Sequence, residues 1–374
     1  MPRPLGQLRI MMSSRVLLDL EEADMVYKEK GAQGYTDYMR CEGEFKGQGD
    51  PALGGFRRLG KGPMFDVALA LSKLNVMSLD KNNPLVELGL SCKDENDSAE
   101  AIMMNLAMSD IGEFLEWETA TSGHAIGKEI HQAFKTDLFL TRSPGDAQTA
   151  IDLGIAAAVI NFPPNGTYDF NAGGPVRIIV DGDAVAFGDS AEVGYRRDVA
   201  AHKDDYGQAV QLYKDREHAE VNKMIEAGPF TVVLAKISAI NKLFPQGQAP
   251  FEIGLLTARG ARATCRALSS LRAHGVHFNY PSGFMGGSDK GDWLEAHKPH
   301  LFLDDQETHL KRGMFFCPTG LVPYKTGGAM HQYQQELKNA SQVFDAAAQG
   351  KPAVAEQDNQ NPVIVPKAPG NQPG

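Results

Sequence analysis

Four apolar blocks occur twice in this chain, in the same order, and that repetition constrains the fold more than any other feature. LRIMMSSRVLLD (8–19) is matched by VRIIVDGDAVAF (176–187), and KGPMFDVALALSKLN (61–75) by AGPFTVVLAKISAIN (227–241). LVELGLSCK (85–93) is matched by FEIGLLTAR (251–259), and TDLFLTRS (136–143) by PHLFLDDQ (299–306). The offset barely drifts: 168 residues from Ser13 to Asp181, 166 from Ser91 to Thr257 and 163 from Thr141 to Asp304. A period this long points to duplicated domains rather than a solenoid, and 374 residues exceed what one core usually organises. The expectation is α/β: two tandem doubly wound, mainly parallel sheets, one lobe over 1–160, a Pro- and Gly-rich linker over 161–175, and a second lobe over 176–330.

Short β-branched runs predict strands at 176–180, 251–256 and 300–303, with counterparts at 8–12, 85–90 and 137–140. Helical spacing is expected over 16–38, 63–74 and 98–108, a loop over 43–63, and a surface helix over 330–348. Residues 351–374, rich in Pro and poor in aromatics, are expected to be disordered.

The copies differ at the strand ends. In the second, the strands end at Asp181-Gly182-Asp183, at Thr257-Ala258 and at Asp304-Asp305, with Lys290 in the Gly-rich stretch 283–291. Ligands of open α/β sheets sit beyond the carboxyl ends of the strands, so these groups are expected to converge. Adjacent carboxylates repel unless a cation lies between them. Carboxylates from two strand ends suit Mg²⁺, and a hydroxyl and a lysine beside them describe a phosphoryl pocket. One aspartate would attack phosphorus and another move the proton. In the first copy Ser13 and Arg15, Ser91, and Thr141-Arg142 hold the same places, so that half is expected to be structural or regulatory. Arg15 would bind an effector anion or pair with a neighbouring acid.

A formal net charge of −10 argues against a nucleic-acid partner. No apolar run reaches the ~20 residues of a membrane span, and a cytoplasmic location is expected. Cys41, Cys92, Cys265 and Cys317 are too scattered for a zinc site or a disulfide framework. Gly55 to Lys61 begins like a phosphate-cradling loop, but Gly62 stands where Ser or Thr is needed.

The ordered set DGDAV, LLTAR, Lys290 and LFLDDQ resembles the four motifs of the haloacid dehalogenase (HAD) superfamily. More narrowly, SSRVLLDLEE, GIAAAVI, VRIIVDGDAVAFGDSAE, LLTARG, GGSDKG, HLFLDDQETH and LVPY resemble the type I cytosolic 5′-nucleotidases, in order, over about 8–324. That resemblance implies two HAD-like (Rossmannoid) lobes, the first degenerate, and a helical cap over about 189–226. It implies Asp181 as nucleophile and Asp183 as general acid/base. Thr257 and Lys290 would hold the phosphoryl group with Gly182 and Ala258, and Asp304 and Asp305 would complete a Mg²⁺ site with Asp181 and the backbone carbonyl of Asp183. The implied reaction is hydrolysis of AMP- or IMP-type nucleoside 5′-monophosphates. A phosphatase or phosphotransferase for another small phosphomonoester, and a catalytically silent nucleotide-binding protein, are the alternatives. Phe187 is the candidate for stacking on a base, ahead of Tyr195, Tyr206, Tyr213 and Phe230. A nucleotide effector in the first lobe and self-association are left open.

Overall fold

In the computed structural model the described residues are 7–78, 80, 82–164, 168, 174–202, 205–260, 263–286 and 288–348, without the side chains of 206 and 341–348. The expected disordered tail and the middle of the expected linker (165–167, 169–173) lie outside them. Strands form where β-branched and other apolar runs are short and bounded by polar turns. In chain order they are β1 (Leu8–Ser13), β2 (Leu18–Asp19), β3 (Gly60–Lys61), β4 (Val86–Cys92), β5 (Leu115–Ala120), β6 (Leu138–Thr141), β7 (Ala156–Ile160), β8 (Val176–Val180), β9 (Phe251–Thr257), β10 (Gly283–Phe284), β11 (Leu301–Asp304) and β12 (Thr319–Leu321).

Among the described residues, ten of these strands form one sheet in the order β10-β9-β8-β11-β12-β7-β6-β1-β4-β5. Every neighbouring pair in it is parallel except β12 with β7, where Gly320 faces Ile160 and Leu321 faces Val159. Glycine is required at that join, because a Cβ on Gly320 would lie 2.8 Å from Leu303 Cδ2 and 2.9 Å from Ala158 Cβ. On each side of the join the five strands run third, second, first, fourth, fifth in chain order. Central strands are buried on both faces, as in a sheet covered by helices on either side; in β8 only Arg177 is partly exposed. The helix Phe65–Lys73 packs against β8, and the helix Thr231–Asn241 against β1, so each half lends a helix to the other's first strand. Lys236 on the latter helix reaches Asp137, just before β6, at 2.5 Å.

The stretch 16–38, expected to be one helix, is a short helix Ser14–Leu17, then β2, then a helix Glu21–Arg40 interrupted at Gly31, where φ is +70°. β2 departs from the helix because it pairs antiparallel with β3. The loop expected over 43–63 contains β3 and two short 3₁₀ turns. β5 alternates apolar and acidic residues, with Glu116 and Glu118 on its exposed face, and β10 and β12 are too short to carry a pattern. Residues up to His331 form one unit. A helix Ala329–Ala348 runs on into a second, Gln332–Gly374.

Candidate active site

Three strand ends of the second half meet in the sheet order β9-β8-β11. β8 hands over to Asp181, whose amide donates to Leu303 O of β11 at 2.8 Å. A single π-helical turn, Gly182–Ala186, follows, with Ala184 at φ +61°. Gly182 lets the ends of β8 and β9 approach, since a Cβ there would stand 2.8 Å from Thr257 Oγ1.

Asp181, Lys290, Asp304 and Asp305 converge. Lys290, immediately before the helix Gly291–His297, is fully buried, and its Nζ donates to Asp181 Oδ1 at 2.5 Å and to Asp304 Oδ2 at 2.7 Å. Carboxylate oxygens of Asp181, Asp304 and Asp305 lie within 4.8 Å of one another. Asp304 is held further by the Gln306 amide (2.9 Å) and by His309 Nδ1 (3.1 Å to Oδ2). Tyr324 donates to Asp305 Oδ2 at 2.5 Å, whereas the buried Asp305 Oδ1 has no partner.

Burial is the largest influence on each of these groups. It pushes the Asp181 carboxyl up, against the pull of Lys290. Asp305 is raised well above the ordinary range by burial and by the neighbouring Asp181 and Asp304. For Asp304 burial works upward, but Lys290 and His309 outweigh it and hold the carboxyl low. For Lys290 burial works downward, and Asp181 and Asp304 overturn it, keeping the amine charged. Three carboxylates thus face one lysine, and one of their buried oxygens, Asp305 Oδ1, has no partner. Such an oxygen-only donor set fits a hard divalent cation.

Asp183 stands apart from the cluster. Both its carboxylate oxygens are taken by Arg259, Nε to Oδ2 at 2.9 Å and Nη2 to Oδ1 at 2.7 Å. Arg259 is itself buried and reaches Glu217 Oε2 at 2.7 Å, and Glu217 Oε1 accepts from Arg266 at 2.7 Å. Glu217 lies on the helix Tyr206–Ala219, so a chain of buried charges ties Asp183 to a helix of the 189–226 segment. Thr257 Oγ1 accepts the Arg259 amide at 3.2 Å, leaving its own hydrogen to donate. Ala258 lies between these two residues.

The segment 189–226 leaves and returns through a narrow neck. Gly188 N donates to Glu226 O, Phe230 N to Val185 O, and Phe187 bridges Ala227. Gly228 must be glycine here, because a Cβ would meet Phe187 O at 2.2 Å. Phe187 is wholly buried, with the Arg259 guanidinium 5.5 Å from its ring centre. A ring so enclosed presents no free face, so stacking on a base would require its neighbours to move. Phe230 is likewise in the core, Tyr195 packs edge-on against Tyr213 at 5.6 Å, and the Tyr206 side chain lies outside the described residues.

Arg259, Glu217, Tyr324 and His309 were not singled out as site residues by the residue pattern. Arg259 and Glu217 pair across 42 residues, which leaves no local signature. His309 lies five residues beyond Asp304, a spacing that sequence can show but that carries no metal-ligand motif. Ser13, Arg15, Ser91, Thr141 and Arg142 also meet, at a cavity of about 560 Å³ formed at the ends of β1, β4 and β6.

A family model described as 5′-nucleotidase matches residues 1–329. The Homo sapiens protein cytosolic 5′-nucleotidase 1B is 24% identical over 326 residues, covering 83% of this chain and 48% of its own length. The chain therefore spans about half the length of that relative. No solved structure matches this chain.

Proposed function

This chain belongs to the 5′-nucleotidase family, and from that premise we propose that it hydrolyses nucleoside 5′-monophosphates, of the AMP or IMP type, to nucleoside and phosphate. The observation that carries the reading is the convergence of Asp181, Asp304 and Asp305 within 4.8 Å of one another around the buried Lys290. Asp181, Asp304 and Asp305 would hold Mg²⁺ with the Asp183 carbonyl, and the ion would supply positive charge against the phosphoryl oxygens.

The Asp181 carboxylate attacks phosphorus, forming an acyl phosphate as the bond to the nucleoside oxygen breaks, and the leaving oxygen takes a proton from Asp183. Water then attacks the same phosphorus and gives its proton to Asp183, regenerating Asp181 and releasing phosphate. Lys290 orients the nucleophile and meets the equatorial oxygens; Thr257 donates its free hydroxyl hydrogen to one of them. Gly182 and Ala258 flank Asp181 and Thr257, where backbone N–H groups would reach the remaining oxygens. Because Arg259 engages both oxygens of Asp183, proton transfer requires that pair to open. Its link to Glu217 makes Arg259 a positioning residue that couples the acid to the helical segment above.

Two further readings belong to the same proposal. The matching strand order on each side of the β7–β12 join, together with the reciprocal helix packing, supports two tandem HAD-like lobes, the first without carboxylates at its strand ends. The neck at Gly188 and Ala227, with the helices Ser190–Ala201 and Tyr206–Ala219 between, supports a helical cap at about 189–226. Among the described residues no helix is long and apolar enough to cross a membrane.

The test is phosphate release from a panel of ribo- and deoxyribonucleoside monophosphates and non-nucleotide phosphomonoesters, with Mg²⁺ and with EDTA. The reading requires Mg²⁺-dependent release that Asp181→Asn abolishes while the protein stays folded. Full turnover in Asp181→Asn, or a preference for non-nucleotide esters, would sink it.

A further inference from the structure

We propose that the cavity at the ends of β1, β4 and β6 is a second, non-catalytic site that binds a small organic phosphate, with the oxyanion held among Ser13, Arg15, Ser91 and Arg142. The first observation is a set of polar atoms without partners. Ser13, Arg15, Ser91 and Arg142 line this cavity, and their Ser13 Oγ, Arg15 Nε, Ser91 Oγ and Arg142 Nε atoms are buried and make no hydrogen bond. Ser91 is wholly buried. A buried hydroxyl or guanidinium hydrogen left unmet costs about 1–3 kcal/mol, so four around one space describe a receptor awaiting acceptors.

The second observation is charge. Arg15 and Arg142 share one half-exposed carboxylate, Glu21, at 3.2 and 3.4 Å, and Arg15 reaches Asp24 at 3.3 Å. These are long contacts, and the pair of the two half-exposed partners, Arg15 and Glu21, contributes about 0–1 kcal/mol, so an incoming dianion would displace it at little cost. Two of the cavity's other acids are engaged by lysines. Asp146 pairs with Lys93 at 2.8 Å and Asp24 with Lys28 at 2.8 Å, and Asp94 and Glu95 complete the acidic lining. Among the described residues no carboxylates here cluster tightly enough to hold a metal ion. The chemistry therefore favours an oxyanion over a cation.

The third observation is size. About 560 Å³ falls within the ~300–1,000 Å³ of small-molecule sites and exceeds what inorganic phosphate fills. Leu20, Tyr27, Tyr35 and Ile126 supply apolar and aromatic surface beside the polar end, suited to an organic group. Without strand-end carboxylates there is no nucleophile like Asp181, so a bound phosphoester would remain intact. This inference is independent of the proposed reaction.

The test is calorimetric titration of the full chain carrying Asp181→Asn with inorganic phosphate, ribose 5-phosphate and adenosine 5′-monophosphate. At least one organic phosphate should show a binding event that disappears in Arg15→Ala/Arg142→Ala and weakens about tenfold in Ser91→Ala, the loss of one hydrogen bond to a charged group. Ser91→Ala removes only an unpartnered hydroxyl, so the ligand-free protein should melt at the same temperature or higher, which guards against a folding artefact. If no binding event of any probe responds to these substitutions, the site is wrong. If inorganic phosphate binds as tightly as the organic phosphates, the organic subsite is wrong. Because binding is read directly, an absence of nucleotidase activity would leave this result untouched.

Discussion

Replacing Lys290 with methionine isolates the electrostatic logic of the carboxylate cluster. The side chain keeps similar bulk and loses the charge that lies 2.5 Å from Asp181 and 2.7 Å from Asp304. Two routes give the magnitude. Removing one partner of a buried ion pair costs about 3–5 kcal/mol. Two carboxylate charges at most 4.8 Å apart repel by about 3.5 kcal/mol at an effective dielectric constant of ~20. Lys290→Met should therefore lower unfolding free energy by about 3–5 kcal/mol in EDTA at pH 8, read by urea denaturation.

The sign of the pH dependence follows from the carboxyls. Burial raises Asp181 in the folded state, so between its unfolded and folded values the folded state holds the extra proton, and stability falls as pH rises through that window. Lys290 opposes this and keeps Asp304 low; without it both carboxyls rise. The deficit should be full at pH 8 and shrink towards pH 5. Mg²⁺ should restore part of it, since a ligand of the folded state alone stabilises by mass action. An unchanged urea midpoint in EDTA at pH 8, or a deficit that grows as pH falls, would refute the reasoning.

Arg259→Lys replaces a planar fork serving Asp183 and Glu217 with a single ammonium; kcat should fall about 10–100-fold, the order of a misplaced proton donor, with KM little changed, and an unaltered kcat would remove Arg259 from the positioning role. Gly182→Ala places a Cβ 2.8 Å from Thr257 Oγ1. Overpacking of this kind costs about 1–3 kcal/mol, and because the displaced atom is the proposed phosphoryl donor, turnover should drop further than thermal stability accounts for.

Much of this arrangement was legible in the sequence because a parallel strand buried on both faces is a run of apolar residues that stops abruptly. Val176–Val180 before Asp181, Phe251–Leu256 before Thr257 and Leu301–Leu303 before Asp304 all stop in this way. The strand order of each half repeats because the blocks repeat. What stayed hidden depends on pairing between distant residues or on very short elements. β2 looks like helix until β3 is laid beside it, β10 has two residues, and Arg259 to Glu217 joins a loop to a helix with nothing local to announce it. Burial is hidden in the same way: Phe187 follows the motif as an aromatic suited to stacking, and only the fold shows its ring to be wholly enclosed.

The two sets of strand ends have the same place in the sheet order and leave opposite kinds of polar atom without partners. Around Asp181 three buried carboxylates exceed one lysine, and Asp305 Oδ1 is left without a donor. Around Ser91 two arginines and two serines have hydrogens left without acceptors. Each unmet group raises the free energy of the ligand-free protein by about 1–3 kcal/mol, and neither set can be satisfied by the other, because they lie on opposite sides of the β7–β12 join. A cation at the first and an oxyanion at the second would each recover its own part. Their effects on melting temperature should then add, as expected of well-separated sites with no shared partners, and a strong departure from additivity would mean that the helices crossing the join transmit one site to the other.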